Sequence, residues 1–108
     1  MASPLNTFIS VVKDITTIPS NVYVTPSETT AIVLLAQCTN VSSNSIVSVT
    51  FYSTPGPNTE LVKNFLIPVA DAASLLTGKL VIEEGKGIGI YANANGVLKL
   101  TLSILETK

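Results

Sequence analysis

The chain has 108 residues, enough for one hydrophobic core but not for two. It is 46% hydrophobic and only 12% charged, which excludes a disordered segment, and a net charge of −1 gives no field to hold DNA or anionic lipid. Every basic residue is a lysine, scattered from Lys13 to Lys108, so neither a nucleic-acid nor a membrane partner is expected.

The first patterned segment, Phe8 to Ile18, sets Ile9, Val11 and Ile15 on one parity and Phe8 and Val12 on the other. A strand that pairs with a partner molecule reads this way, and so does one lying between two sheets. Asn21 to Thr25 is a second strand, ended by Pro26-Ser27-Glu28. The run Ala31-Ile32-Val33-Leu34-Leu35-Ala36 is apolar on both faces. One face can enter a core; the other needs cover from a neighbouring segment or another subunit. A surface with few repelling charges is poorly protected against association, so part of this apolar excess is read as interface. The expected partner is another copy of the chain or another protein of an assembly. Candidate interface residues are Phe8, Ile9, Val11, Val12, Ile32, Val33, Leu34 and Leu35.

Asn40 to Asn44 is a polar connection, and Asn40-Val41-Ser42 fits the N-glycosylation pattern. Val47, Val49 and Phe51 then alternate with Ser48 and Thr50. Thr54-Pro55-Gly56-Pro57-Asn58 is too proline-rich for a regular element. Asp71 to Leu76 is read as one helical turn, with Gly78 available to end it. Leu80 and Ile82, then Ile88 and Ile90, continue the alternation, with Glu84-Gly85-Lys86-Gly87 as a tight hairpin between them. Asn95-Gly96 is the favoured pair for a type I′ turn. In the last segment Leu98, Leu100, Leu102 and Ile104 share one face, opposite Lys99, Thr101 and Ser103. Seven to eight strands in a chain this short indicate an all-β fold, an antiparallel β-sandwich of immunoglobulin-like or jelly-roll-like type, forming one domain over residues 1–108.

The chemistry is defined by absences. Without histidine there is no His-based triad, no Cys–His dyad and no ordinary zinc site. The single cysteine, Cys38, ends an apolar run and is read as a buried, inert thiol. Glu83 and Glu84 are adjacent, so on a strand they point to opposite faces rather than into one cleft. Gly85-Lys86-Gly87-Ile88-Gly89 lacks the Ser or Thr and the following helix of a phosphate loop. No enzyme, cofactor or metal is expected. Sugar binding is the remaining site-based reading, with Tyr52 and Tyr91 on the polar parity of their strands as candidate exposed contact aromatics. The plainer alternative for each is an amphipathic ring covering the sheet.

The opening Met-Ala-Ser-Pro-Leu-Asn carries neither a charged leader nor a long apolar stretch, and the longest apolar run, Ala31 to Ala36, is far below a membrane span. Synthesis and folding in a cytosol are expected.

Several segments taken together resemble a known group. They are the Met-Ala-Ser start, Asn6-Thr7-Phe8-Ile9, Tyr23-Val24-Thr25-Pro26, and Thr30 through Gln37. Thr59-Glu60-Leu61-Val62-Lys63, Gly78 through Gly85 and Leu98 through Glu106 complete the set. In this order the chain resembles the small β-sandwich virion proteins of tailed bacteriophages, particularly those of marine T4-like cyanophages. The resemblance implies a non-catalytic structural component of the virion, made in the host cytoplasm and assembled without processing, and leaves head, neck, tail and fibre positions open. An accessory or decoration protein docked on the head or another virion surface is the leading reading. A tail- or fibre-associated module that binds a receptor or glycan is the alternative. It carries over no catalytic residue.

Overall fold

The structure is a computed structural model that describes residues 6–54 and 59–108. The described residues form nine strands: β1 (Asn6–Ile15), β2 (Ser20–Val24), β3 (Thr30–Asn40), β4 (Val47–Thr54), β5 (Thr59–Ile67), β6 (Ala72–Ser74), β7 (Leu80–Ile82), β8 (Gly87–Ala92) and β9 (Leu98–Thr107). They form two antiparallel sheets. Sheet I runs β1-β9-β3, with β6 and β7 each pairing a different stretch of β3; sheet II runs β2-β8-β4-β5. Among the described residues, β4–β5 apart, no strand pairs with its immediate successor. Instead β1 pairs with β9, β2 with β8, and β3 with β6 and β7. The chain is thus one long antiparallel ribbon rolled over itself, a jelly roll rather than an immunoglobulin sandwich.

The alternating pattern places the core. From sheet I, Ile15, Val33, Ala36, Cys38, Leu98, Leu100, Leu102 and Ile104 point inward and are buried. They meet Val47, Val49, Phe51, Ile67, Ile88 and Ile90 of sheet II in one cluster. Each fully buried Leu, Ile, Val or Phe contributes about 1.5–3 kcal/mol.

The two-faced run in β3 is a β-bulge. The register with β9 shifts between Val33 and Leu35, so Ala31 and Val33 face inward before the bulge and Ala36 and Cys38 after it. Leu34 and Leu35 both end up exposed. Val33 is therefore core, not interface.

Three turn expectations are corrected. Residues 71–76 are not a helical turn: Ala72–Ser74 is a strand on the edge of β3, and the Leu75 amide donates to the Ala36 carbonyl at 2.7 Å. Glu83 to Lys86 does turn, with the Lys86 amide donating to the Glu83 carbonyl at 3.1 Å, but β7 and β8 belong to opposite sheets. At Asn95-Gly96 only Gly96 has positive φ (74°), so the turn is not type I′, and the chain again crosses between sheets. The proline-rich connection falls mostly on residues 55–58, outside the described residues.

Candidate functional site

The outer face of sheet I carries one apolar row that no single segment of sequence displays. Phe8 of β1 pairs with Leu105 of β9, Leu105 with Ile32 of β3, and Ile32 with Val81 of β7. Four strands thus present four apolar side chains in line, since directly opposed residues share a face. Phe8 is 72% exposed and Val81 59%, with Leu105 and Ile32 half-buried between them. Leu34 and Leu35 at the bulge and Val12, 72% exposed, widen the row. Toward the Ile15 end the face becomes polar, with Gln37, Thr39 and Thr101, and the Lys99 Nζ–Asp14 Oδ1 ion pair at 2.7 Å.

Of the eight interface candidates, Phe8, Val12, Ile32, Leu34 and Leu35 lie on this outer face. Ile9 and Val11 are half-buried against the core from the inner face of β1, and Val33 is wholly buried. Leu105 and Val81 were missed. Their signal was an apolar residue on an otherwise polar parity, and its meaning depends on the inter-strand register.

The outer face of sheet II holds the two tyrosines. Tyr52 is not an exposed contact residue, being only 6% exposed. Its ring lies across Gly89, where an added Cβ would come within 2.5 Å of the ring carbon Cζ. Tyr91, half-buried, stands tilted beside it with ring centroids 6.2 Å apart. Beyond Tyr91 lies a cleft of about 200 Å³ lined by Thr17, Ser48, Thr50, Asn64 and Asn93. Its polar groups are already engaged in part: Asn93 Oδ1 accepts from the Ser48 amide at 3.1 Å, and Thr50 Oγ1 from the Asn64 amide at 3.1 Å. Asn64 sits at φ 50°, a left-handed conformation Asn tolerates, where the β4–β5 register shifts.

A second cleft of about 200 Å³ opens where β7 faces β4 and β5, floored by Leu61, Leu80 and Ile82. Both are below the roughly 300–1,000 Å³ typical of small-molecule sites. A wider concavity of about 600 Å³ lies among Glu28, Thr29, Glu83, Glu84 and Lys86, but its lining lacks the apolar walls of a ligand pocket. Among the described residues no three His, Cys, Asp or Glu side chains converge as a metal site. Nor is there a helix long and apolar enough to cross a membrane.

Two further polar groups hold the fold. Tyr23 of β2 donates its hydroxyl to the Glu106 carboxylate of β9, tying sheet II to sheet I. Burial, then the hydrogen bond and charge of Glu106, raise the Tyr23 pKa. Asn40 is fully buried: Nδ2 donates to the carbonyls of Ser45 (2.9 Å) and Ile67 (3.0 Å), and Oδ1 accepts from the Ser42 amide (2.9 Å). The glycosylation pattern at Asn40 is thus a buried clamp, and the folded chain offers no amide there to modify.

No known family's sequence pattern matches the chain, and no curated protein does. The fold does have a solved counterpart. It is similar to a chain from the disulfide-linked pili that form Bacillus endospore appendages, with TM-score 0.54 and 10% identity over 97% of this chain and 87% of that one. A chain of infectious bursal disease virus Gx strain aligns over 97% of this chain and 32% of its own, at TM-score 0.37 and 10% identity, too low to bear on the fold. The first likeness extends to the all-β, two-sheet architecture and no further.

Proposed function

We propose that this protein is a non-catalytic structural subunit of a bacteriophage virion, an accessory or decoration protein that docks through the outer face of sheet I. The observation that carries the reading is the Phe8–Leu105–Ile32–Val81 row, four apolar side chains aligned across a sheet face with few charges. A four-strand face ten residues long covers roughly 600 Å², so docking would bury about 1,200 Å² over both partners, the lower end of stable interfaces. The resemblance to phage β-sandwich virion proteins and the fold shared with an appendage subunit support the same role. The disulfide linkage named for that pilus is not available here, because the single cysteine is buried in the core.

Val81→Asp places a charge in the row at an exposed strand position, so stability should fall by about 1 kcal/mol, leaving the chain folded. Quantitative mass spectrometry of purified particles should then find the variant depleted relative to wild type. Full occupancy by a folded Val81→Asp chain, or absence of the wild-type chain from particles, would overturn the proposal.

The Tyr91 cleft favours a second reading, a glycan-binding module, because one half-buried aromatic is ringed by Ser48, Asn64 and Asn93. Glycan-array binding that disappears in Tyr91→Ala supports it; a blank array at high protein concentration refutes it.

A further inference from the structure

β1 is an edge strand, bonded to β9 on one side, and among the described residues no strand pairs with its other side. Half of its backbone N–H and C=O groups therefore face outward along ten residues. The other sheet edges carry interruptions that discourage pairing. β6 and β7 are three residues each, β2 is five residues with a register shift, and β5 shifts register twice against β4. β1 is not interrupted in this way: its sequence Asn-Thr-Phe-Ile-Ser-Val-Val-Lys-Asp-Ile contains neither proline nor glycine, its register is unbroken, and its one charge on the inner parity, Lys13, lies near the end of the strand. Its charges are confined to Lys13 and Asp14 near one end, and Asp14 is already paired with Lys99.

The side-chain pattern of β1 is complementary to its own reverse. Laid antiparallel on a second β1 with Ser10 opposite Ser10, Phe8 faces Val12 of the other copy on the outer face, and Ile9 faces Val11 on the inner face. Lys13 then meets Thr7 and Asp14 meets Asn6, so no like charges are opposed. Slipping by two residues one way sets Phe8 against Ser10 and Val12 against Asn6. Slipping the other way sets Phe8 against Asp14 and Ile9 against Lys13. A slip of one residue turns the inner face outward. One register thus satisfies both faces and the charges at once.

We infer that two copies of this protein pair edge to edge through β1, antiparallel, with Ser10 on the two-fold axis. The joint sheet runs β3-β9-β1 in one copy into β1-β9-β3 of the other, closed by about eight to ten intermolecular backbone hydrogen bonds. It covers exposed Phe8 and Val12 with each other. The inference rests on reading the chain as a multi-copy assembly subunit, but uses an edge, not the docking face.

Ser10 is exposed and is the one position that meets itself. In Ser10→Cys, oxidation or a short bis-maleimide should yield a covalent dimer. Ser103→Cys, one strand further from the axis, should give no covalent dimer. Sedimentation of wild type should show a reversible dimer, and Ser10→Lys should dissociate about fivefold more readily because like charges are opposed. Mixing Ser10→Lys with Ser10→Glu should restore a heterodimer. A wild-type monomer at all attainable concentrations, equal cross-linking at Ser103, or unchanged dimerisation of Ser10→Lys would overturn the inference. Loss of the dimer in Val81→Asp would also overturn it, since that assigns dimerisation to the sheet face. None of these results removes the chain from particles, which is the separate test of docking.

Discussion

Cys38 offers a direct measure of how tightly the core is closed. Burial alone pushes its thiol pKa from 9.0 up to about 12. The folded chain therefore keeps its proton at a pH where the unfolded chain has lost it. Thiolate formation then stabilises only the unfolded state, so stability is intact below pH 9 and falls as pH rises from 9 toward 12. With about 1.36 kcal/mol per unit, the loss between pH 8 and pH 10.5 is about 2 kcal/mol. That corresponds to a fall of about 8–16 °C in Tm for a domain of this size. Tyr23, whose pKa is also raised, adds its own alkaline loss above about pH 10. Cys38→Ala removes the first contribution and leaves the second. Urea titrations of both proteins at pH 8, 9, 10 and 10.5 separate them: the wild-type curve should fall more steeply by the stated amount. Parallel pH profiles would refute the reasoning, since they would mean that the thiol titrates alike in both states and the core admits water.

Gly89→Ala should destabilise the fold by about 1–3 kcal/mol, because the added methyl lands 2.5 Å from the Tyr52 ring; adding Tyr52→Ala to that variant should recover part of the loss in chemical denaturation. Asn40→Ala should cost about 2–4 kcal/mol by thermal melting, as it removes three hydrogen bonds and leaves the buried Ile67 carbonyl without the Asn40 donor.

What could be read from the sequence was set by local periodicity. Val47 to Phe51 and Leu98 to Ile104 alternate cleanly, and both runs bury the face that the alternation selects. The bulge at Leu34 was visible only as a break in pattern, because a bulge and a fully buried strand look alike without a partner strand to count against. The residues around Gly85 and Asn95-Gly96 do turn, but turn chemistry specifies local φ and not the sheet that the next strand joins. Ala72 to Leu76 has helix-favouring residues, yet the open edge of β3 at Gln37 to Thr39 captures it, tertiary pairing outweighing propensity. Tyr52 lies on the outer face as its parity requires. Its burial depends on the side chain that Gly89 lacks, and no window of sequence around either residue contains both. The apolar row was half legible for the same reason: Phe8 and Ile32 stood out alone, while Val81 and Leu105 join them only through register.

The pairing of β1 with β9 also bears on how the protein is made. β1 is completed by β9, which lies more than eighty residues further along the chain, so sheet I cannot close until Leu98–Thr107 has been synthesised, about 5–20 s later at ordinary elongation rates. Throughout that interval Phe8, Val12 and both edges of β1 are open to other nascent chains. A fold dominated by pairings between opposite ends of the chain also refolds slowly, in milliseconds to seconds. Production in the cell should therefore be limited by crowding of unfinished chains before the stability of the finished one becomes relevant.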